Sequence, residues 1–141
     1  MKKYAFVLAV ALIAILAGCK KDTDNAAAWV GTYTSTGTVT DSLNQVTISE
    51  VNSSTLQIQL QYKYNISGVS GVYTFATIQG AKLSTATSAS VNESGTISGS
   101  AGTYQFTGGG ALSGNSLTLT GQAVNTSNSS DIRYYVFTGS K

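Results

Sequence analysis

The sequence has no histidine and no proline, and it has one cysteine. Charge is scarce, with eight Lys or Arg and six Asp or Glu among 141 residues. Without histidine, no side chain has an ordinary pKa close to neutrality, so imidazole acid–base chemistry is excluded. One cysteine cannot build a thiolate cluster, and metal sites need several His, Cys or carboxylate ligands together. Serines are plentiful, yet no nucleophile-elbow pattern or adjacent base activates one. The acids beyond residue 28 are Asp41, Glu50, Glu93 and Asp131, each close to a predicted turn or strand end. They read as solvated turn carboxylates, weighed against a facing glycosidase-type pair. No catalytic, cofactor or metal site is expected.

Long apolar runs are absent except for one. Ala5 to Ala17, AFVLAVALIAILA, follows Lys2 and Lys3. It is shorter than the roughly 20 residues that span a bilayer core, and it has the length of a signal-peptide apolar region. Leu16-Ala17-Gly18-Cys19 closes the run and resembles the lipobox of bacterial lipoproteins. The resemblance implies cleavage before Cys19, a diacylglycerol thioether on its sulfur, and a membrane partner reached through that lipid anchor. Several acyl chains hold a protein stably where one is marginal. The following KKDTD, Lys20 to Asp24, resembles a charged export signal used by some Gram-negative bacteria for surface lipoproteins. A generic solvated linker explains it equally well. The implied location is the outer membrane of a Gram-negative bacterium. The expected organisation is a signal peptide over 1–18, the lipidated cysteine and a flexible tether over 19–28, and a single β domain over 29–141. Extended at about 3.4 Å per residue, the tether reaches about 30 Å.

Loss of Lys2 and Lys3 with the signal leaves six basic side chains against six acidic ones. Past the tether the basic residues are Lys63, Lys82, Arg133 and Lys141, scattered with no stripe, so no nucleic-acid partner is expected. Low net charge together with recurring aromatic and β-branched residues argues for a folded domain despite the polar composition.

Alternation with period two dominates. In TLQIQLQYKYNI, Thr55 to Ile66, Leu56, Ile58, Leu60, Tyr62, Tyr64 and Ile66 face one way and Gln57, Gln59, Gln61, Lys63 and Asn65 the other. This is the pattern of an antiparallel strand with one wet face. Strands are predicted at 30–40, 45–51, 55–66, 71–79, 82–90, 95–100, 103–112, 116–124 and 131–139. Turn-prone stretches separate them, including NSS at 52–54, SGVSG at 67–71, NESG at 92–95, SGN at 113–115 and NTSNSS at 125–130. The glycine-rich stretch 108–115 lacks the lysine and helix of a phosphate loop and reads as a strand bending into a hairpin. Short connections favour an all-β antiparallel up-and-down meander.

WVGTYTSTG, Trp29 to Gly37, and YYVFTGSK, Tyr134 to Lys141, resemble the first and last strands of small lipocalin-like envelope lipoproteins. Lipocalins carry Gly-X-Trp on the first strand, with an arginine of the last strand packed over the tryptophan. Here Tyr33 holds the tryptophan position in Gly31-Thr32-Tyr33, and Trp29 lies just before it. The resemblance implies a barrel of eight to nine strands, with a β-sandwich as the alternative, closed where Arg133 meets Trp29 or Tyr33. Asp41-Ser42-Leu43 also resembles the Asp-Ser/Thr-aliphatic acceptor of a bacterial envelope O-glycosylation system, which implies a glycan on Ser42. The expected function is a non-enzymatic envelope lipoprotein that binds a small apolar or sugar-like ligand or an envelope partner. A structural coat protein is the alternative, and a carboxylate hydrolase stands behind both.

Overall fold

Alternating apolar residues between tight turns and short loops give eight antiparallel strands. In a computed structural model these are β1 (Gly31–Ser35), β2 (Gln45–Asn52), β3 (Thr55–Ile66), β4 (Val69–Thr85), β5 (Ser88–Gly95), β6 (Tyr104–Ser113), β7 (Ser116–Asn125) and β8 (Ile132–Ser140). The structure describes residues 24–35 and 43–141. The lipobox with Cys19 and the acceptor Ser42 lie outside the described residues.

Each strand pairs with the next, and β1 pairs with β8 through Thr34–Ser140 and Ser35–Gly139, so the sheet is a closed, lipocalin-like meander barrel. Closure rules out the sandwich. The strand count is eight because the predicted strand 82–90 is divided at the turn 86–87 between β4 and β5, and 95–100 forms no strand of its own. β4 takes in the predicted 71–79 and runs on to Thr85, and its pairing with β3 shifts register between Leu56 and Ile58 and again between Leu60 and Gln61. Such irregularities let a long strand bend around a small barrel without ending it. The expected break at Gly80 is instead a point of close approach, because a Cβ there would fall 2.2 Å from Oε1 of Glu93. NESG is likewise strand, paired residue by residue with Tyr104–Thr107. Of the predicted strand 95–100, Gly95 is the last residue of β5 and Ile97 makes an isolated bridge to Ala76.

The inward residues pack solidly. Trp29, Tyr33, Leu56, Ile58, Leu60, Phe106 and Leu117 have no exposed surface, so no space the size of a water molecule borders them. An eight-stranded barrel is narrow enough for side chains to fill, and here aromatic rings fill it. Glycines make room for those rings. Gly108 and Gly121 face each other on β6 and β7, and the Tyr135 ring of β8 lies across both. Its hydroxyl donates to the Thr107 carbonyl at 3.2 Å.

Strand direction defines two ends. The basal end holds residues 24–30, the turns at 53–54, 86–87 and 114–115, and Lys141. The apical end holds the β3–β4 turn and the loops 96–103 and 126–131. Residues 24–28, expected in the tether, form a turn instead. Asp24 accepts from the Ala26 and Ala27 amides, Trp29 N–H donates to Ala26 O, and Ala26 is buried. Trp29 corks the basal end, its indole Nε1 donating to Ala86 O at 2.9 Å.

Candidate functional site

The residues expected to close the barrel are divided between its two ends. Tyr33 and Trp29 are basal, joined by the Tyr33 hydroxyl donating to Trp29 O at 2.8 Å. Arg133 sits opposite Ala123 on β8, six residues before Gly139, where β8 meets β1. At about 3.4 Å per residue that separation is about 20 Å along the strand. Arg133 therefore does not reach the tryptophan. Exposed at the apical end, it pairs with Asp131, Nε to Oδ1 at 2.8 Å. The cation over the ring is Lys141, whose Nζ lies 5.2 Å from the Tyr33 centroid and donates to Ala28 O and Val30 O, both at 2.9 Å. The strand closure drawn from the resemblance holds, but a different basic residue provides the clasp. Lys141→Ala is expected to lower stability by about 1 kcal/mol, the sum of an exposed cation–π contact and partly hydrated hydrogen bonds. Urea titration measures it, and Arg133→Ala should give only the small change of a surface substitution.

Asp131 is the charged centre of the apical loops. It accepts from the Tyr104 hydroxyl at 2.5 Å and from Arg133. The Tyr104 hydrogen bond, with help from Arg133, holds its carboxyl below the ordinary 3.8. A depressed acid stabilises the fold at pH values above its unfolded pKa, and that contribution disappears as the pH falls through the folded value. Melting of wild type and Asp131→Asn should therefore differ at neutral pH and converge below pH 3.8.

The carboxylates weighed as a hydrolytic pair are dispersed. Glu50 is near the basal end of β2, Glu93 lies on β5 against Gly80, and Asp131 is occupied in the apical loop. Asp41 lies outside the described residues. Among the described residues no three His, Cys, Asp or Glu cluster as metal ligands.

The feature that sequence reasoning missed is an arm. β2 ends its pairing with β3 at Gln61, while β3 and β4 continue together through Tyr62–Tyr73 to Ile66–Val69. These pairs carry the hairpin about 17 Å past the barrel wall. The turn is two residues, Ser67 and Gly68, both with positive φ (52° and 84°), as the twist of a tight hairpin requires. Tyr62 stacks on Tyr73 with centroids 6.4 Å apart and meets Phe75 edge-on at 5.8 Å. Beyond them Tyr64, Ile66 and Val69 are exposed, Ile66 by 67%. Even spacing alone placed Tyr64 and Ile66 on the buried face. They are exposed because the strand outruns the barrel, and pairing length is not encoded in period.

Beside the arm, just past the start of β2, lies a groove of about 350 Å³ lined by Thr34, Ser35, Asn44, Lys63, Tyr64, Asn65 and Ser70. Asn44 shapes it. Its Nδ2 donates to Lys63 O at 2.8 Å and its Oδ1 accepts from Lys63 N–H, so an amide side chain continues the sheet for one residue.

Comparison with protein-family models, curated proteins and solved structures finds no match to this chain. The two ends of the barrel are chemically distinct. The basal end is sealed by backbone hydrogen bonds and Trp29, whereas the apical end offers aromatic rings and a polar groove.

Proposed function

We propose that the chain is a non-enzymatic lipoprotein, anchored at the outer membrane through Cys19, that binds through its apical end. The packed interior carries this reading. A lumen filled by Trp29, Tyr33, Tyr104, Phe106 and Phe137 leaves no room for a ligand inside, so recognition belongs on the outer surface. A small apolar or sugar-like ligand held inside the barrel is set aside for that reason. The direction of the chain supports the rest. Residues 24–30 leave from the basal end, so a lipid on Cys19 puts that end toward the membrane and turns the arm away from it.

A structural coat role is favoured by one separate observation. The outer face of β2–β4 is a neutral amide and hydroxyl network, in which Gln61 Oε1 accepts from Gln45 at 3.0 Å and from Thr47 at 2.9 Å, and Gln57 donates to Gln79 at 2.6 Å.

Metabolic labelling with a fatty-acid probe tests the anchored reading. The wild-type chain should take up label and Cys19→Ala should take up none. Equal labelling of the two would refute anchoring at Cys19.

A further inference from the structure

β3 carries its inward face beyond the barrel. Leu56, Ile58 and Leu60 are buried in the core, and Tyr62, Tyr64 and Ile66 continue the same alternation along the arm. Cross-strand partners share a face, so the pairs Tyr62–Tyr73, Tyr64–Gly71 and Ile66–Val69 form one side of the arm. The Tyr64 ring lies over Gly71, where a side chain would collide with it. Lys63, Val72, Asn65 and Ser70 form the other side. The arm is thus an amphipathic ribbon with an uncovered apolar side. Exposure there is 45% at Tyr73 and 40% at Tyr64, and it rises to 67% at Ile66 and 65% at Val69.

Three features narrow the occupant. The first is area. Tyr64, Ile66, Val69 and Tyr73 together expose about 400 Å², enough to mark an interaction site but only half of the about 800 Å² per partner that a stable dimer buries. The second is order. A protein interface has its apolar anchors at the centre and a polar rim, whereas here the aliphatic residues are outermost and the tyrosines stand behind them. Aliphatic residues deepest and tyrosines at the headgroup level is the order in which side chains enter a lipid interface. The Ile66–Val69 pair also keeps the backbone in register up to the two-residue turn, as a medium without water requires. The third is charge. No Asp or Glu lies between Glu50 and Glu93, and Lys63 is the only charged residue from 62 to 75. It stands three residues before Ile66, about 10 Å back from the tip, where a lysine reaches lipid phosphates while its stem lies along apolar surface.

We propose that the tip of the arm docks in a bilayer with anionic headgroups, with Ile66 and Val69 entering the acyl region, Tyr64 and Tyr73 at the interface, and Lys63 paired with lipid phosphate. The bilayer is one that faces the apical end, opposite the basal end from which residues 24–30 leave. The proposal deepens the apical-binding reading and rests on it. Its experiment replaces Cys19, so a failure here leaves the fatty-acid labelling result untouched.

The full chain with Cys19→Ala and Ile66→Cys has one thiol, which takes a polarity-sensitive nitrobenzoxadiazole dye. The protein is prepared in neutral phosphatidylcholine vesicles and mixed with an excess of acceptor vesicles containing phosphatidylglycerol. Emission should move to the blue and rise severalfold only after the acceptors are added. The same dye on Thr120→Cys, an exposed position on the barrel wall, should not respond. Val69→Asp should weaken acceptor binding about tenfold or more. Lys63→Gln should weaken it about fivefold for anionic acceptors and leave binding to neutral ones unchanged. Both substitutions are at exposed positions of the arm, and unchanged thermal melting verifies that the variants fold. Absence of a blue shift with every acceptor overturns the proposal. So does a shift present before acceptors are added, an equal shift at position 120, or acceptor binding unaffected by Val69→Asp. A shift produced by raising the protein concentration alone assigns the face to a second copy and overturns it as well.

Discussion

Trp29→Ala should be among the most damaging single substitutions, costing about 3–5 kcal/mol. The indole is wholly buried, donates to Ala86 O, and lies 3.5 Å from where a Cβ on Gly110 would sit. Removing it opens a cavity at the basal end and strands the Ala86 carbonyl. It also loosens the carbonyl of residue 29 that receives the Tyr33 hydroxyl. Domains of this size have about 5–15 kcal/mol in total, so the loss takes a third or more of the stability. The urea midpoint, followed by circular dichroism because the only tryptophan is gone, should fall by about 2 M. Trp29→Phe should recover a large part of it, since most of the apolar volume returns. A midpoint within 0.5 M of wild type for Trp29→Ala would mean that the basal cork is not part of the cooperative core.

Gly121→Ala is expected to be comparably severe for the opposite reason, excess volume. Its new methyl would sit 2.2 Å from the Tyr135 hydroxyl oxygen, 2.3 Å from Cζ and 2.4 Å from Thr107 O. The ring must leave, and the backbone oxygen cannot move cheaply. Overpacking typically costs about 1–3 kcal/mol, and loss of the ring's burial adds to it. A spectroscopic signature accompanies the loss. Burial pushes the Tyr135 phenol up to about 12. With a folded pKa above the unfolded value, its contribution is complete below pH 10 and is lost as the pH climbs toward 12. Tyrosinate absorbance in wild type should show Tyr135 ionising in that late range. In Gly121→Ala that late step should be lost. Retention of the late step in the variant would show that the ring stays in place.

Period and turn chemistry made much of the barrel legible. β3 has the predicted bounds, and 116–124 and 131–139 each lie within a residue of β7 and β8, because strict alternation between polar turns leaves little choice of phase. The errors have a common physical source, which is tertiary contact. Gly80 and NESG resemble turns in isolation, but Gly80 lies in a register shift between the Ile58–Ile78 and Leu56–Ala81 pairs, and partners on β6 hold NESG extended. The clasp was misassigned because β8 places its two basic positions at opposite ends, and only the register with β1 decides which one meets Tyr33. The groove was unreadable for a similar reason. Its lining comes from β1, the start of β2, β3 and β4, and no local stretch contains more than Lys63-Tyr64-Asn65 of it.

The seam between β1 and β8 has a kinetic consequence. Every other pairing joins neighbours along the chain and can form as a hairpin. The seam joins residues roughly a hundred positions apart, which costs about 2 kcal/mol more chain entropy than a ten-residue closure. Among the described residues it is held by two register pairs and the Lys141 clasp. The barrel is thus a zipper that runs hairpin by hairpin and is buttoned last. The same button is the first to release, and each release bares a strand edge that another chain can join. Lys141 therefore guards solubility as well as stability, by shortening the time the edge of β8 spends open.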